Sequence, residues 1–136
     1  MYIVQLYKYI FTENYKHNGI TEGIIRAFYK VYNTLGYGFL EKVYENSLFY
    51  ELVKAGYLVE KQKRIKVYYE DIEVGEYYAD LIVDDLVIIE IKAGEGLIEE
   101  HEYQLINYLK ATDKEIGLLL NFGKKPQFKR KIFSNK

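Results

Sequence analysis

The chain has 136 residues, a formal net charge of −1, no cysteine and two histidines. Disulfides and thiolate zinc centres are therefore excluded, and His17 and His101 alone are too few for most other zinc sites, which leaves a hard-metal carboxylate site as the metal chemistry the composition permits. A chain of this length fits one domain with a real core, and its 16 Tyr with no Trp put tyrosine to use in the core and on the surface alike.

Residues 1–17 are aromatic and apolar but interrupted by Gln5, Lys8 and Glu13, and they fall short of the ~20 apolar residues of a membrane span. No small-residue cleavage site follows a long apolar core, so neither a signal peptide nor a membrane anchor is expected and the protein is placed in the cytoplasm. The stretch reads as an N-terminal extension over 1–18. It is either an added strand or helix packed on the domain or an upstream segment with little fixed structure. One domain is expected over 19–136, with no internal repeat and no low-complexity linker.

Thr21 is the expected N-cap of a first helix running to about Asn33, with Ile20, Ile24, Phe28, Val31 and Leu35 on its buried face and Gly36 and Gly38 ending it. A second helix is expected from about Leu40 to Ala55, with Leu40, Tyr44, Leu48 and Leu52 inward and Gly56 as its C-terminal cap. Glu41 falls in its first turn, where the helix dipole alone favours a carboxylate. Strand signals follow at Leu58 to Glu60 and Arg64 to Tyr69, with a turn at Glu70 and Asp71.

Tyr77 to Lys92 then reads as two strands meeting at Asp84 and Asp85. Ala79, Leu81 and Val83 alternate on one arm, and Val87, Ile89 and Ile91 on the other. If Val83 opposes Val87 in an antiparallel pair, all six lie on one face, and Asp80 opposes Glu90 on the other, with Lys92 opposite Tyr78. That register requires an odd loop, Asp84 to Leu86, or a bulge. Paired carboxylates repel, and a divalent cation such as magnesium relieves the repulsion, while a neighbouring lysine can position a water or steady developing negative charge. The competing reading is a solvated strand face on which Lys92 forms ordinary ion pairs with Asp80 and Glu90.

A third helix is expected over about Ile98 to Ala111, with Ile98, Leu105 and Leu109 on its core side and His101, Gln104 and Tyr108 on a neighbouring face. Ile116 to Asn121 has the continuous apolar character of a strand buried in a mixed sheet, and Phe128 to Phe133, after the only proline, Pro126, can add an edge strand. Charge is unevenly spread. Lys92 is the one Lys or Arg between Glu70 and Glu102, whereas no acid follows Glu115 and the end carries Lys124, Lys125, Lys129, Arg130, Lys131 and Lys136. An acidic middle fits a cation and a basic end fits a polyanion, although solvated loops and a soluble tail explain the same pattern.

Gly38, Glu41 and Tyr44 in GFLEKVY match the signature of the GxxExxY family, which resembles the PD-(D/E)xK nuclease superfamily. Asp80 with Glu90-Ile91-Lys92 is similar to the superfamily's D…ExK motif, and Gln104 with Tyr108 in HEYQLINYLKAT resembles the glutamine-bearing helix that follows it. The resemblance spans about Gly19 to Phe133. It implies an α/β fold with a restriction-endonuclease-like core, a mixed β-sheet flanked by helices. It also implies a Mg2+ (or Mn2+) site held by Asp80, Glu90 and the backbone carbonyl of Ile91. Glu41 would assist directly or through a water, Lys92 would orient or activate the attacking water, and Gln104 would steady Lys92 or a phosphate.

The activity so implied is metal-dependent hydrolysis of phosphodiester bonds in DNA or RNA, as an endonuclease or exonuclease, with Lys124, Lys125, Lys129, Arg130 and Lys131 as nucleic-acid contacts and no nucleotide cofactor. The alternative is a catalytically inactive module on the same fold that binds nucleic acid or a partner protein. Homodimerisation is a further expectation, because a 16.2 kDa domain offers little surface to grip a duplex. The chain departs from the family pattern at Tyr32, where a histidine is frequent, at Tyr37, where a proline is usual, and near Tyr78, where an arginine is frequent. Loss of such an arginine would remove a phosphate clamp and bears on turnover more than on fold.

Overall fold

Helix α1 (Asn18–Leu35) begins three residues before the expected cap. Thr21 is fully buried inside it, and its hydroxyl donates back to the carbonyls of His17 and Asn18 at 3.2 and 3.1 Å. A threonine can satisfy its hydroxyl this way within a helix as readily as at an N-cap. The computed structural model describes residues 17–134, so the expected extension over 1–18 falls almost wholly outside the described residues. Gly36, at φ 69°, ends α1 by donating its N–H to the Tyr32 carbonyl at 2.7 Å.

Helix α2 (Glu41–Lys54) buries Tyr44, Leu48 and Leu52 as the spacing predicts. Leu40 does not point inward. It is the extended residue preceding the helix and is 81% exposed. The same correction applies to Ile98 before helix α3 (Glu99–Lys110), which is 52% exposed. Both are apolar residues assigned to a first turn, and in both the extended backbone of the cap swings the side chain out. Gly56, at φ 99°, follows α2 in the left-handed conformation of a C-terminal cap.

Five strands form one sheet in the order β1 (Val59–Tyr69), β2 (Ile72–Val83), β3 (Val87–Lys92), β4 (Ile116–Phe122) and β5 (Pro126–Ile132). The β3–β4 pair is parallel and the others antiparallel, so the sheet is mixed. The two short strand signals near residues 58–69 belong to the single strand β1. Strand β4 is buried along its whole length between β3 and β5, and β5 begins on Pro126, where a strand edge tolerates the missing N–H.

Two apolar layers clamp the sheet. One contains Ile24, Phe28 and Val31 of α1 and Tyr44, Leu48 and Leu52 of α2 against Leu81, Val83, Ile89 and Leu118. The other sets Leu105, Tyr108 and Leu109 of α3 against Ile82, Ile88 and Leu119. This is the α/β restriction-endonuclease-like architecture expected from the sequence, a mixed sheet flanked, among the described residues, by three helices. No helix among the described residues is long and apolar enough to cross a membrane.

Candidate functional site

The register that the alternation predicts is the one observed. Val83 opposes Val87, Ile82 opposes Ile88 and Leu81 opposes Ile89 across a three-residue loop of Asp84, Asp85 and Leu86. Asp84 and Asp85 take φ 52° and 56°, which aspartate tolerates better than most residues. The pairing then stops. Beyond Leu81, β2 stays bonded only to β1, while Glu90, Ile91 and Lys92 stay bonded only to β4. Tyr78 is accordingly opposite Arg64 and not Lys92.

The sheet splits at Asp80 and Glu90, and the carboxylates take over the bonds that the ladder has given up. Asp80 Oδ2 accepts the Ile91 N–H at 2.8 Å, and Glu90 Oε2 accepts the Asp80 N–H at 3.0 Å. Backbone donors in a buried place must find acceptors. Here each strand supplies a carboxylate to the other, so the two acids interlock across the split.

A second irregularity faces the first. Gln62, within β1, has φ 50°, and the ladder passes from Lys61–Leu81 to Lys63–Ala79 without pairing Gln62 to Asp80. Side-chain alternation changes phase there. Leu81 and Val83 pack with α1 and α2, whereas Ala79 and Ile65 pack in the α3 layer. Ala79 therefore does not share a face with Leu81, because β2 changes phase at Asp80, where it parts from β3 and lies across from the left-handed Gln62. Such a conformation in a non-glycine residue costs about 1–3 kcal/mol, which the surrounding structure must offset.

Electrostatics follow burial. Glu90 is 5% exposed, and burial with the adjacent Asp80 pushes its carboxyl up to about 8, against the opposing pull of the Asp80 N–H and the Lys92 ammonium. Burial also raises Asp80, reinforced by the charges of Glu45 and Glu41 and countered by the Ile91 N–H and the Gln62 amide. The Tyr108 phenol is pushed up to about 12, first by burial and then by the charges of Glu90 and Asp80. Its ring packs on Tyr77 at 5.2 Å. Lys92 is half-buried and makes no ion pair or hydrogen bond among the described residues. The expected alternative, an ordinary salt bridge to Asp80 or Glu90, is absent.

Of the other expected site residues, Glu41 is exposed at the start of α2, near enough to Asp80 for its charge to be felt. Gln104 is half-buried one turn before Tyr108 and makes no hydrogen bond among the described residues. At the basic end, Lys124 and Lys125 are exposed in the loop after β4, at the end of the sheet where Asn121 pairs with Lys92. Lys129 lies on the face of Glu90, two strands away through Leu119. Lys131 is tied to Glu102, and Arg130 also has a partner.

Three residues near the site are not among those expected from the sequence. Glu45 is 4% exposed, with Oε1 accepting from Gln62 at 2.8 Å and Oε2 facing Lys42 Nζ at 3.1 Å. It stands one helical turn after Glu41, so helical spacing alone could have pointed to it. Gln62 also reaches Asp80 Oδ1 at 3.3 Å. Asn121, fully buried, accepts the Gly94 N–H at 3.0 Å and donates to the Gly94 carbonyl at 3.1 Å, clipping the loop that leaves Lys92.

Among the described residues, no three His, Cys, Asp or Glu side chains converge so as to hold an ion by themselves. Asp80, Glu90 and the Ile91 carbonyl nonetheless suit magnesium in kind. They are hard oxygen donors, two are carboxylates, one buried and one half-buried, with no contacting base among the described residues, and magnesium commonly takes one or two carboxylates and keeps several waters.

No curated protein sequence matches the chain. Among solved structures, the crystal structure of SSO0001 is similar with a TM-score of 0.54 at 19% identity, over 70% of this chain and 50% of that one. That likeness concerns the fold, and this chain spans half the length of that protein. The family model described as the PD-(D/E)XK nuclease superfamily matches residues 18–131, an interval that contains the split strands, the interlocked carboxylates and Lys92, and the chain belongs to that superfamily.

Proposed function

We propose that this protein is a metal-dependent phosphodiester hydrolase acting on DNA or RNA, of the GxxExxY kind. The observation that carries the reading is Lys92, half-buried and, among the described residues, without an ion-pair partner beside two interlocked carboxylates. A lysine held this way is available to a substrate, whereas one that neutralised Glu90 would be spent on the fold.

Asp80, Glu90 and the Ile91 carbonyl would hold Mg2+ or Mn2+, with Glu41 contributing directly or through a water. The bound ion supplies Lewis-acid polarisation of a phosphoryl oxygen and a lowered pKa for a bound water. The remaining work belongs to the chain. Lys92 orients the attacking water and offers positive charge to the phosphorane-like negative charge that develops on the phosphate. Gln104, one turn before Tyr108 on the helix facing the site, steadies Lys92 or a phosphate oxygen. Lys124, Lys125 and Lys129 take successive backbone phosphates at the same end of the sheet, a contribution that weakens with salt. A homodimer would double the surface available to a duplex.

Cleavage of single-stranded, duplex and branched DNA and RNA in Mg2+ or Mn2+, with and without chelator, tests the reading against Lys92→Ala. Metal-dependent cutting lost in Lys92→Ala supports it, and the product lengths assign endo- or exonuclease action. Undiminished nucleic-acid binding with no cutting by either protein would favour the inactive binding module. Tyr78 supports that second reading, because it stands near the position where the family often has an arginine and its hydroxyl faces Glu76.

A further inference from the structure

We infer that Gln62 is a positioning residue of this site: its carboxamide, aimed by a left-handed backbone in mid-strand, ties Glu45 to Asp80 and fixes how Asp80 presents its oxygens to a divalent cation. The inference rests on the reading of Asp80 as a metal-facing carboxylate.

Gln62 is exposed, and β1 continues in register on both sides of it, so no chain reversal requires its φ of 50°. The conformation accomplishes something local. It brings Nε2 to 2.8 Å from Glu45 Oε1 and 3.3 Å from Asp80 Oδ1. A primary amide carries two N–H protons, one for each carboxylate. Asp80 Oδ2 is held separately by the Ile91 N–H, so both oxygens of Asp80 have a fixed donor. Glu45 is buried and faces Lys42 through its other oxygen, which makes it a stable anchor on α2. Through Gln62, α2 is thereby linked to the carboxylate on β2.

The choice of a neutral amide matters at this point. Lysine or arginine would pair with Asp80 and compete with a cation for it, and a further carboxylate would add repulsion. Glutamine orients two anions while leaving their charge available. Groups that orient a metal-binding carboxylate in this way typically affect metal affinity 10–100-fold when removed.

Isothermal titration of Mn2+ into the full chain tests this with Gln62→Met, which keeps bulk and loses the amide, and Gln62→Gly, which keeps the left-handed backbone and loses the amide. Gln62→Asn and Asp80→Ala serve as rescue and reference. We expect Met and Gly to weaken Mn2+ binding about tenfold or more, and Asn to recover part of the loss. Melting temperature in chelator should stay within about 2 °C of wild type, and cleavage should return towards wild type at saturating Mn2+. Equal Mn2+ affinity in Met, Gly and wild type, alongside loss in Asp80→Ala, overturns the role of Gln62 and leaves the site reading standing. An affinity loss matched by a large fall in melting temperature also overturns it, as a purely structural effect. Wild-type binding that is absent, or that survives Asp80→Ala, removes the reading of Asp80 and this inference with it.

Discussion

The strands β2 and β3 have a closed end and an open end, and the two are built on opposite rules. At the closed end, Leu81 to Val83 face Val87 to Ile89 through backbone hydrogen bonds, and every side chain is apolar and at most 3% exposed. Immediately beyond that end, the same strands have parted, and the backbone donors of Asp80 and Ile91 are met by carboxylates. The closed end stabilises the fold through apolar burial at roughly 25 cal/mol per Å2. The open end contains a buried carboxyl, a lysine without an ion-pair partner among the described residues and a left-handed glutamine, each of which costs stability. The proposed site thus lies where the fold is locally least favourable, and the closed end holds it in place.

The sharpest break between the two ends should come from Lys92→Ala. Cleavage is expected to fall about 10²- to 10⁴-fold, while the melting temperature changes little, since Lys92 has no ion-pair partner among the described residues to lose. Gel assays on labelled nucleic acid and thermal melting, run on the same preparation, check both halves. The converse substitution is Ile89→Ala at the closed end. Ile89 is fully buried between β2 and β4, so the loss should be about 2–5 kcal/mol of stability by urea unfolding. Cleavage per folded molecule should stay within a fewfold of wild type. A large activity loss in Ile89→Ala at a temperature where it is fully folded would show that the two ends are not separable.

The closed end was legible in the sequence and the open end only in part. Alternation fixed the pairing of Leu81, Ile82 and Val83 with Ile89, Ile88 and Val87, because a one-residue slip would turn every apolar side chain to the wrong face. The same rule put Asp80 and Glu90 together but extended the ladder past the point where it ends, and so misplaced Ala79 and the partner of Tyr78. Nothing in local periodicity marks a strand that separates from its neighbour. Gln62 was equally hidden, since its left-handed backbone is stabilised by groups far along the chain, Glu45 and Asp80. Thr21, Leu40 and Ile98 were misassigned for a simpler reason. A helix end is decided by backbone angles over one or two residues, and sequence signals do not resolve that interval.

A subtler test uses the burial of Glu90. Its folded carboxyl lies at about 8, above the ordinary value of 4.5. Between those limits the folded protein keeps a proton that the unfolded chain has lost, so the stability of the metal-free protein should fall as pH rises from about 4.5 to about 8 and level off beyond. Glu90→Gln removes the buried charge and should be more stable than wild type by on the order of 5 kcal/mol at pH 9 in chelator, with the gain vanishing near pH 4.5. Adding Mn2+ should restore wild-type stability and leave Glu90→Gln unchanged. A gain that persists at low pH would mean that glutamine improves packing and that charge is not the cause.

The smallest predicted effect concerns the motif residue Tyr44, which belongs to the closed regime although it is spelled in the same signature as Glu41. Its ring is fully buried and stacks on Phe122 at 4.3 Å. Its hydroxyl donates to the Gly36 carbonyl at 2.7 Å and accepts the Phe39 N–H at 3.2 Å. Those two bonds close the loop between α1 and α2 and so set where α2 begins. Tyr44→Phe keeps the stack and removes both bonds, which should cost about 1–2 kcal/mol by urea unfolding. Because Glu45, one residue later, remains anchored through Gln62 and Lys42, Mn2+ affinity should change less than threefold. A larger change would place Tyr44 among the residues that orient the carboxylates and move the boundary between the two regimes into α2.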